Sequence, residues 1–197
     1  MTEDLRSRLT KQIIIGSFSE LLQTTPLAKI TVSAICAKAS INRSTFYRYY
    51  ENPQQLYESI EDWFFNEIRE YAIEATEMRT ESESFRVQLE GVLRFYKEHQ
   101  QVVLAMKSKN SNTDFEYELL MSTFAFMSDV NPALNKGLSQ TENLFMYRYM
   151  AFGSAAVVSS WLDNNMREPI EDVAEFIQIC SEGVHSAFKK TRPSFML

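Results

Sequence analysis

The stretch from Thr31 to Tyr50 constrains this chain more than any other. Two short helical patterns lie there, separated only by Ala39-Ser40-Ile41. Thr31 is a good N-cap for the first, Val32 to Lys38, and Asn42 for the second, Arg43 to about Tyr49. Ile35, Ile41, Phe46 and Tyr50 fall at spacings that point inward and can hold both helices against an earlier one. That earlier helix reads from Leu5 to about Gln23, with an apolar stripe Leu5, Leu9, Ile13, Phe18, Leu21 and Leu22. Thr24-Thr25-Pro26-Leu27 ends it, because proline disfavours helix in the residue before it.

The rest of the chain follows the same rules. Asn52 caps a fourth helix with Pro53 in its first turn and Gln55 placed for a weak capping box; it is expected to run past Trp63 and Phe64 towards Met78. Thr80 with Glu83, Thr113 with Glu116, and Ser139 with Glu142 are further capping-box signatures, each before a helical period. Pro169 with Glu171 and Asp172 marks the last start, its acids where the helix dipole favours them. Five Gly and five Pro in 197 residues leave few breakers. The expectation is an all-α protein of about nine helices. Residues 1–52 form a three-helix helix-turn-helix domain, and residues 53–197 a helical domain for ligand binding and dimerisation.

A net charge of −6 argues against a nucleic-acid partner until it is divided. Residues 1–50 hold seven Lys/Arg (Arg6, Arg8, Lys11, Lys29, Lys38, Arg43, Arg48) against Glu3, Asp4 and Glu20, a balance of +4; the remainder stands at −10. That asymmetry suits a small anion-facing module on an acidic body, although chance clustering alone could produce it. Two short helices about a tight turn is the arrangement whose second helix enters the major groove. The outward face shows Arg43, Ser44, Tyr47 and Arg48, which can donate to phosphates or base edges, and arginine pairs bidentately with guanine. Thr31 and Ser33 stand at the N-terminus of the second helix, where amides and dipole favour phosphate. The alternative is a surface helix that is merely basic and aromatic.

At this point ITVSAICAKASINRSTFYRYYENPQQL (30–56) resembles the N-terminal signature of TetR-type transcriptional regulators, Thr45-Phe46-Tyr47-Arg48-Tyr49-Tyr50 matching the family's recognition helix. The resemblance implies phosphate contacts from Thr31, Ser33, Thr45 and Tyr47, and base or backbone contacts from Asn42, Arg43, Ser44, Arg48 and Tyr49. Two positions depart from the family. Ser40 stands where glycine is usual, and serine tolerates positive φ poorly, which predicts a slightly different turn. Pro53 stands where a phosphate-binding lysine is usual, which removes that contact.

Beyond residue 84 aromatic and Met residues are dense, and core packing accounts for most of them. The family resemblance implies a small-molecule pocket among the middle helices, with Trp63, Phe95, Tyr96, Phe124, Tyr149 and Phe152 as expected lining. Small residues at Gly153, Ser154, Ala155 and Ala156 permit close helix approach. With Trp161 and the stripe Val173, Phe176, Ile177, Cys180, Val184 and Phe188 they suit a four-helix dimer seam, expected through Gly153, Ala156, Trp161, Phe176, Cys180 and Val184; an intramolecular core is the alternative. Gly153, Trp161-Leu162 and Pro169 also resemble a subfamily that includes dihydroxyacetone-kinase activators, which implies a protein partner.

Catalysis and metals find no support. His99 and His185 lie far apart without ligand-type neighbours and are expected at the surface, and no phosphate loop, nucleophile elbow or HExxH occurs. Cys36 and Cys180 lack metal spacing and suit reduced thiols; no apolar run is long enough to span a bilayer, and the N-terminus lacks a signal-peptide core. The expectation is a cytoplasmic, non-enzymatic homodimer without cofactor. It binds a palindromic double-stranded DNA operator and is released by a small apolar or amphipathic effector. Two alternatives stand beside it: a DNA-binding co-regulator or activator that takes its signal from a protein partner, and a helical protein whose helix-turn-helix no longer binds DNA.

Overall fold

The computed structural model describes residues 5–74, 81–111, 115 and 138–191. Among the described residues it is all-helical, with eight α-helices and no strand: α1 (Leu5–Thr24), α2 (Val32–Ala39), α3 (Arg43–Tyr47), α4 (Pro53–Glu74), α5 (Glu81–Glu98), α6 (Gln100–Lys107), α7 (Gln140–Asp163) and α8 (Ile170–Lys190). A 3₁₀ turn, Leu27–Lys29, follows α1 at Pro26. The capping signature at Thr113 and Glu116 lies outside the described residues, as does Thr80. No described helix is long and apolar enough to cross a membrane.

The chain divides into two compact units, one of residues 1–66 with 99–115, the other of residues 67–98 with 116–197. The first unit is larger than residues 1–52, because it takes in the start of α4 and all of α6. The end of α6 supplies the reason. A helix leaves its last four carbonyls without partners, and here the Ser108 hydroxyl donates to the Leu22 carbonyl (3.2 Å) and the Asn110 side-chain amide to that of Gln23 (3.1 Å). The Asn110 carbonyl in turn accepts from the Leu27 amide at 3.0 Å.

The core of this unit holds Ile14, Phe18 and Leu22 of α1 with Ile35, Phe46, Leu56, Tyr57, Phe64, Val103 and Met106. The stripe expected on α1 is corrected here: Leu5, Leu9 and Ile13 are 62%, 51% and 50% exposed. Position 13 lies about 100° round the helix from position 14, so the expected stripe joined two different faces. Ile14, Phe18 and Leu22, spaced by four, are the face that packs.

In the second unit α7 begins with a full capping box. The Ser139 hydroxyl accepts from the Glu142 amide (3.2 Å), and the Glu142 carboxylate accepts from the Ser139 amide (2.7 Å). Helix α8 opens with Pro169 as its N-cap residue and Glu171 and Asp172 in its first turn. Helices α5 and α7 both pack on α8. Met146, Tyr147 and Met150 form a core cluster with Phe85, Leu138, Val184 and Phe188 around it. Phe95 and Tyr96 are buried on α5, and burial pushes the Tyr96 phenol well above its ordinary pKa.

Candidate nucleic-acid interface

Local capping builds the two short helices. Thr31 has extended backbone, and its hydroxyl accepts from the Ala34 amide at 3.2 Å, so α2 starts where the sequence places it. Ser40 ends α2 in the left-handed region, at φ 53° and ψ 42°. Its amide turns back to the Ala37 and Cys36 carbonyls, and the Ile41 amide donates to Cys36 at 3.0 Å. Serine thus takes the left-handed conformation in which glycine is usual at a helix end. Asn42 precedes α3 with extended backbone, but its side chain makes no capping bond; its carbonyl accepts from the Thr45 and Phe46 amides.

Helix α3 is shorter than expected, ending at Tyr47, with Arg48 as C-cap. Phe46 anchors it: fully buried, it meets Tyr47 edge-on at 5.8 Å and Tyr50 at 5.9 Å. Around it the surface is open, with Asn42, Arg43, Ser44, Tyr47 and Arg48 exposed and Thr45 half-buried. Thr31 and Ser33 are exposed on α2. The Arg43 guanidinium donates to the Ser33 hydroxyl, which joins the start of α2 to the start of α3. Eight of the nine expected contact residues therefore lie on or beside one surface of hydroxyls and guanidinium groups.

Tyr49 is the exception. It is half-buried and turned back onto α1, with the Lys11 ammonium 5.9 Å from its ring centroid. A hydrogen bond with Ser7 lowers its phenol pKa; burial opposes this, while Thr10 and Arg48 add to it. Lys11 is the partner that reasoning on the α3 pattern alone missed, though it stands among the seven bases counted in the first fifty residues.

Not every base in this unit is available to an anion. Lys38 pairs with Glu20 at 2.5 Å, and the Glu20 carboxylate also accepts from the Gln101 amide at 2.9 Å. The Lys38 hydrogen bond and charge, then Gln101, hold the Glu20 carboxyl below its ordinary pKa. Cys36 is buried beneath the surface, and burial raises its thiol pKa against the nearby Arg43 charge. At the start of α4 the Asn52 side chain accepts from the Gln55 amide at 2.9 Å, and the Gln55 side chain accepts from the Glu51 amide at 2.6 Å. That cap reaches one residue further back than a capping box would.

The residues expected to line a pocket do not share one environment. Phe124 lies outside the described residues. Trp63 belongs to the first unit and meets His99 edge-on at 4.9 Å, both rings half-buried, so His99 is not the surface residue expected; His185 is half-buried as well. Phe95 and Tyr96 are buried, whereas Tyr149 and Phe152 on α7 are 69% and 58% exposed. Tyr149 and Phe152 instead line an open apolar groove of about 780 Å³ between α7 and α8, together with Gly153, Phe176, Cys180 and Val184. Four of the residues expected at a dimer seam thus meet in one groove, and Ala156 is exposed on the same helix. Trp161 is corrected: it is buried inside its own chain, its indole N–H donating to the Glu168 carbonyl at 3.0 Å, which ties the end of α7 to the link before α8.

Residues 83–183 match the family model of a TetR transcriptional regulator C-terminal region. The chain belongs to the TetR family of transcriptional regulators. Fifty-one residues, 26% of the chain, are 39% identical to the HTH-type dhaKLM operon transcriptional activator DhaS of Lactococcus lactis subsp. lactis (strain IL1403); the match spans 27% of that relative's length. Among solved structures, the dihydroxyacetone kinase operon activator DhaS superposes with a TM-score of 0.60 at 23% identity, over 91% of this chain and 98% of that one. The transcriptional regulator FadR from Bacillus subtilis, in complex with stearoyl-CoA, superposes with a TM-score of 0.64 at 14% identity, over 86% and 96%. This TetR-family chain thus shares its all-helical fold with these structural neighbours.

Proposed function

We propose that this TetR-family regulator acts as a homodimer that sets two Arg43/Ser44/Tyr47/Arg48 faces on a palindromic operator and represses until a ligand releases it. The observation that carries the reading is the exposed face itself: Tyr47 is 56% exposed on a helix held from behind by the fully buried Phe46. A tyrosine hydroxyl with arginine and serine donors on both sides suits phosphates and base edges. The α7–α8 groove supports the dimer. Tyr149, Phe152, Phe176 and Ile179 leave a contiguous apolar surface of the kind that marks an interface, and Gly153 and Ala156 let helices approach closely. A small amphipathic effector is supported by the neighbour that holds stearoyl-CoA.

A second reading, activation with the signal taken from a protein partner, is favoured by one observation. The relative matched over 51 residues, like the structure superposed over 91% of the chain, is named an activator.

Selection from random duplexes is expected to return a palindrome whose half-sites lie about 34 Å apart. Arg43→Ala and Tyr47→Ala are each expected to weaken binding by about 5- to 150-fold, as for loss of a contact of 1–3 kcal/mol. No palindrome, with both variants binding as the parent does, refutes the proposal. Release of the bound duplex by acyl-CoA, with a higher melting temperature, supports the repressor reading over the activator.

A further inference from the structure

We infer that Arg6 and Arg8, on the first turn of α1, extend the DNA interface as phosphate contacts, and that Tyr49 is the positioning residue that holds them beside the recognition helix. The inference rests on the DNA-binding reading above and assigns a second strip to that surface.

Tyr49 directly follows the exposed pair Tyr47 and Arg48, yet its own side chain points to α1. Its hydroxyl is hydrogen-bonded to Ser7 and Thr10, and Lys11 stands over its ring at 5.9 Å. Three contacts on one side of α1 fasten its first two turns to the turn that follows α3. Thr10 also donates to the Arg6 carbonyl at 2.8 Å, which keeps that turn helical.

Arg6 and Arg8 flank Ser7, each about 100° round the helix from it. The Tyr49 contact therefore covers neither of them, and both are exposed. Among the described residues neither has a carboxylate partner, and no Asp or Glu occurs between Leu5 and Ser19. Lys38, by contrast, is committed to Glu20, and Arg43 is tied to Ser33. Two exposed guanidinium groups, fixed next to the reading face, suit the phosphates that flank a half-site.

The test uses the full chain and the duplex returned by selection, with affinity measured from low to moderate salt. Each phosphate contact contributes about 0.9 to the slope of log K against log salt. Arg6→Ala/Arg8→Ala is expected to flatten the slope by about 1.8 per protomer and to leave base preference unchanged. Arg6→Lys/Arg8→Lys is expected to keep the slope. Tyr49→Phe keeps the ring over Lys11 but loses the hydroxyl. It is expected to flatten the slope part-way in the parent chain and to add nothing in the Arg6→Ala/Arg8→Ala background, a non-additivity that a merely structural role does not produce. Arg6→Gln/Arg8→Gln serves as a second neutral pair should the alanine pair fold poorly by melting temperature. An unchanged slope in a neutral pair, while Arg43→Ala still loses affinity, overturns this inference alone. Absence of salt-dependent duplex binding by the parent chain overturns the DNA-binding reading with it.

Discussion

Ser40→Gly tests whether the turn between α2 and α3 is held under strain. At φ 53° and ψ 42° Ser40 occupies a region that costs an L-residue roughly 1–2 kcal/mol. Glycine escapes that cost but loses more freedom on folding, roughly 0.5–1 kcal/mol. The serine side chain is exposed, and the hydrogen bonds of the turn are made by backbone amides that glycine retains. The difference leaves a gain of about 0.5–1 kcal/mol. Urea unfolding followed by circular dichroism, at one protein concentration because a dimer's midpoint depends on it, should show a higher midpoint with an unchanged slope. Ser40→Val should move the midpoint the other way and further, since a β-branched side chain fits left-handed backbone worst. Operator affinity should not change in Ser40→Gly, because the backbone hydrogen bonds of the turn are ones that glycine retains. A lower midpoint for the glycine variant refutes the account of strain.

Three further outcomes are expected. Thr31→Ala removes the cap of α2 and should cost about 1 kcal/mol in thermal or urea unfolding. Phe176→Glu places a charge in the α7–α8 groove and should shift sedimentation towards monomer without changing the helical content of the chain. The Glu20 carboxyl has a lowered folded pKa, so its contribution is complete above the ordinary carboxylate value of about 4.3 and is lost as pH falls through the folded value. The stability difference between the parent and Glu20→Gln should therefore be present at neutral pH and shrink on acidification, as read from unfolding midpoints at several pH values.

Much of the site was legible because its rules are local. A cap, a turn residue and a helical period each depend on neighbours within about four positions. Thr31, Asn52 with Pro53, and Ser139 with Glu142 accordingly begin helices as expected. Ser44 and Arg48 fall across α3 from Phe46 because each is two positions from it and a helix turns about 100° per residue. The division of charge between the first fifty residues and the rest was equally open to counting.

Other features needed the folded chain. The first half of α1 carries apolar residues on more than one face, and only the packing of the first unit separated buried Ile14, Phe18 and Leu22 from exposed Leu5, Leu9 and Ile13. Tyr49 belongs to the family's recognition pattern, yet the nearness of Ser7, Thr10 and Lys11 turned it inward. Tyr149 and Phe152 read as lining of an internal pocket, but their side of α7 borders the groove beside α8. Trp161 read as an interface anchor, but its indole N–H found the Glu168 carbonyl seven residues on. By itself the sequence determined where helices start, how they turn and which side chains could read DNA, because those properties are set by near neighbours. Tertiary structure decided which apolar faces are covered and which aromatics look outward, because burial depends on surfaces that arrive from distant parts of the chain.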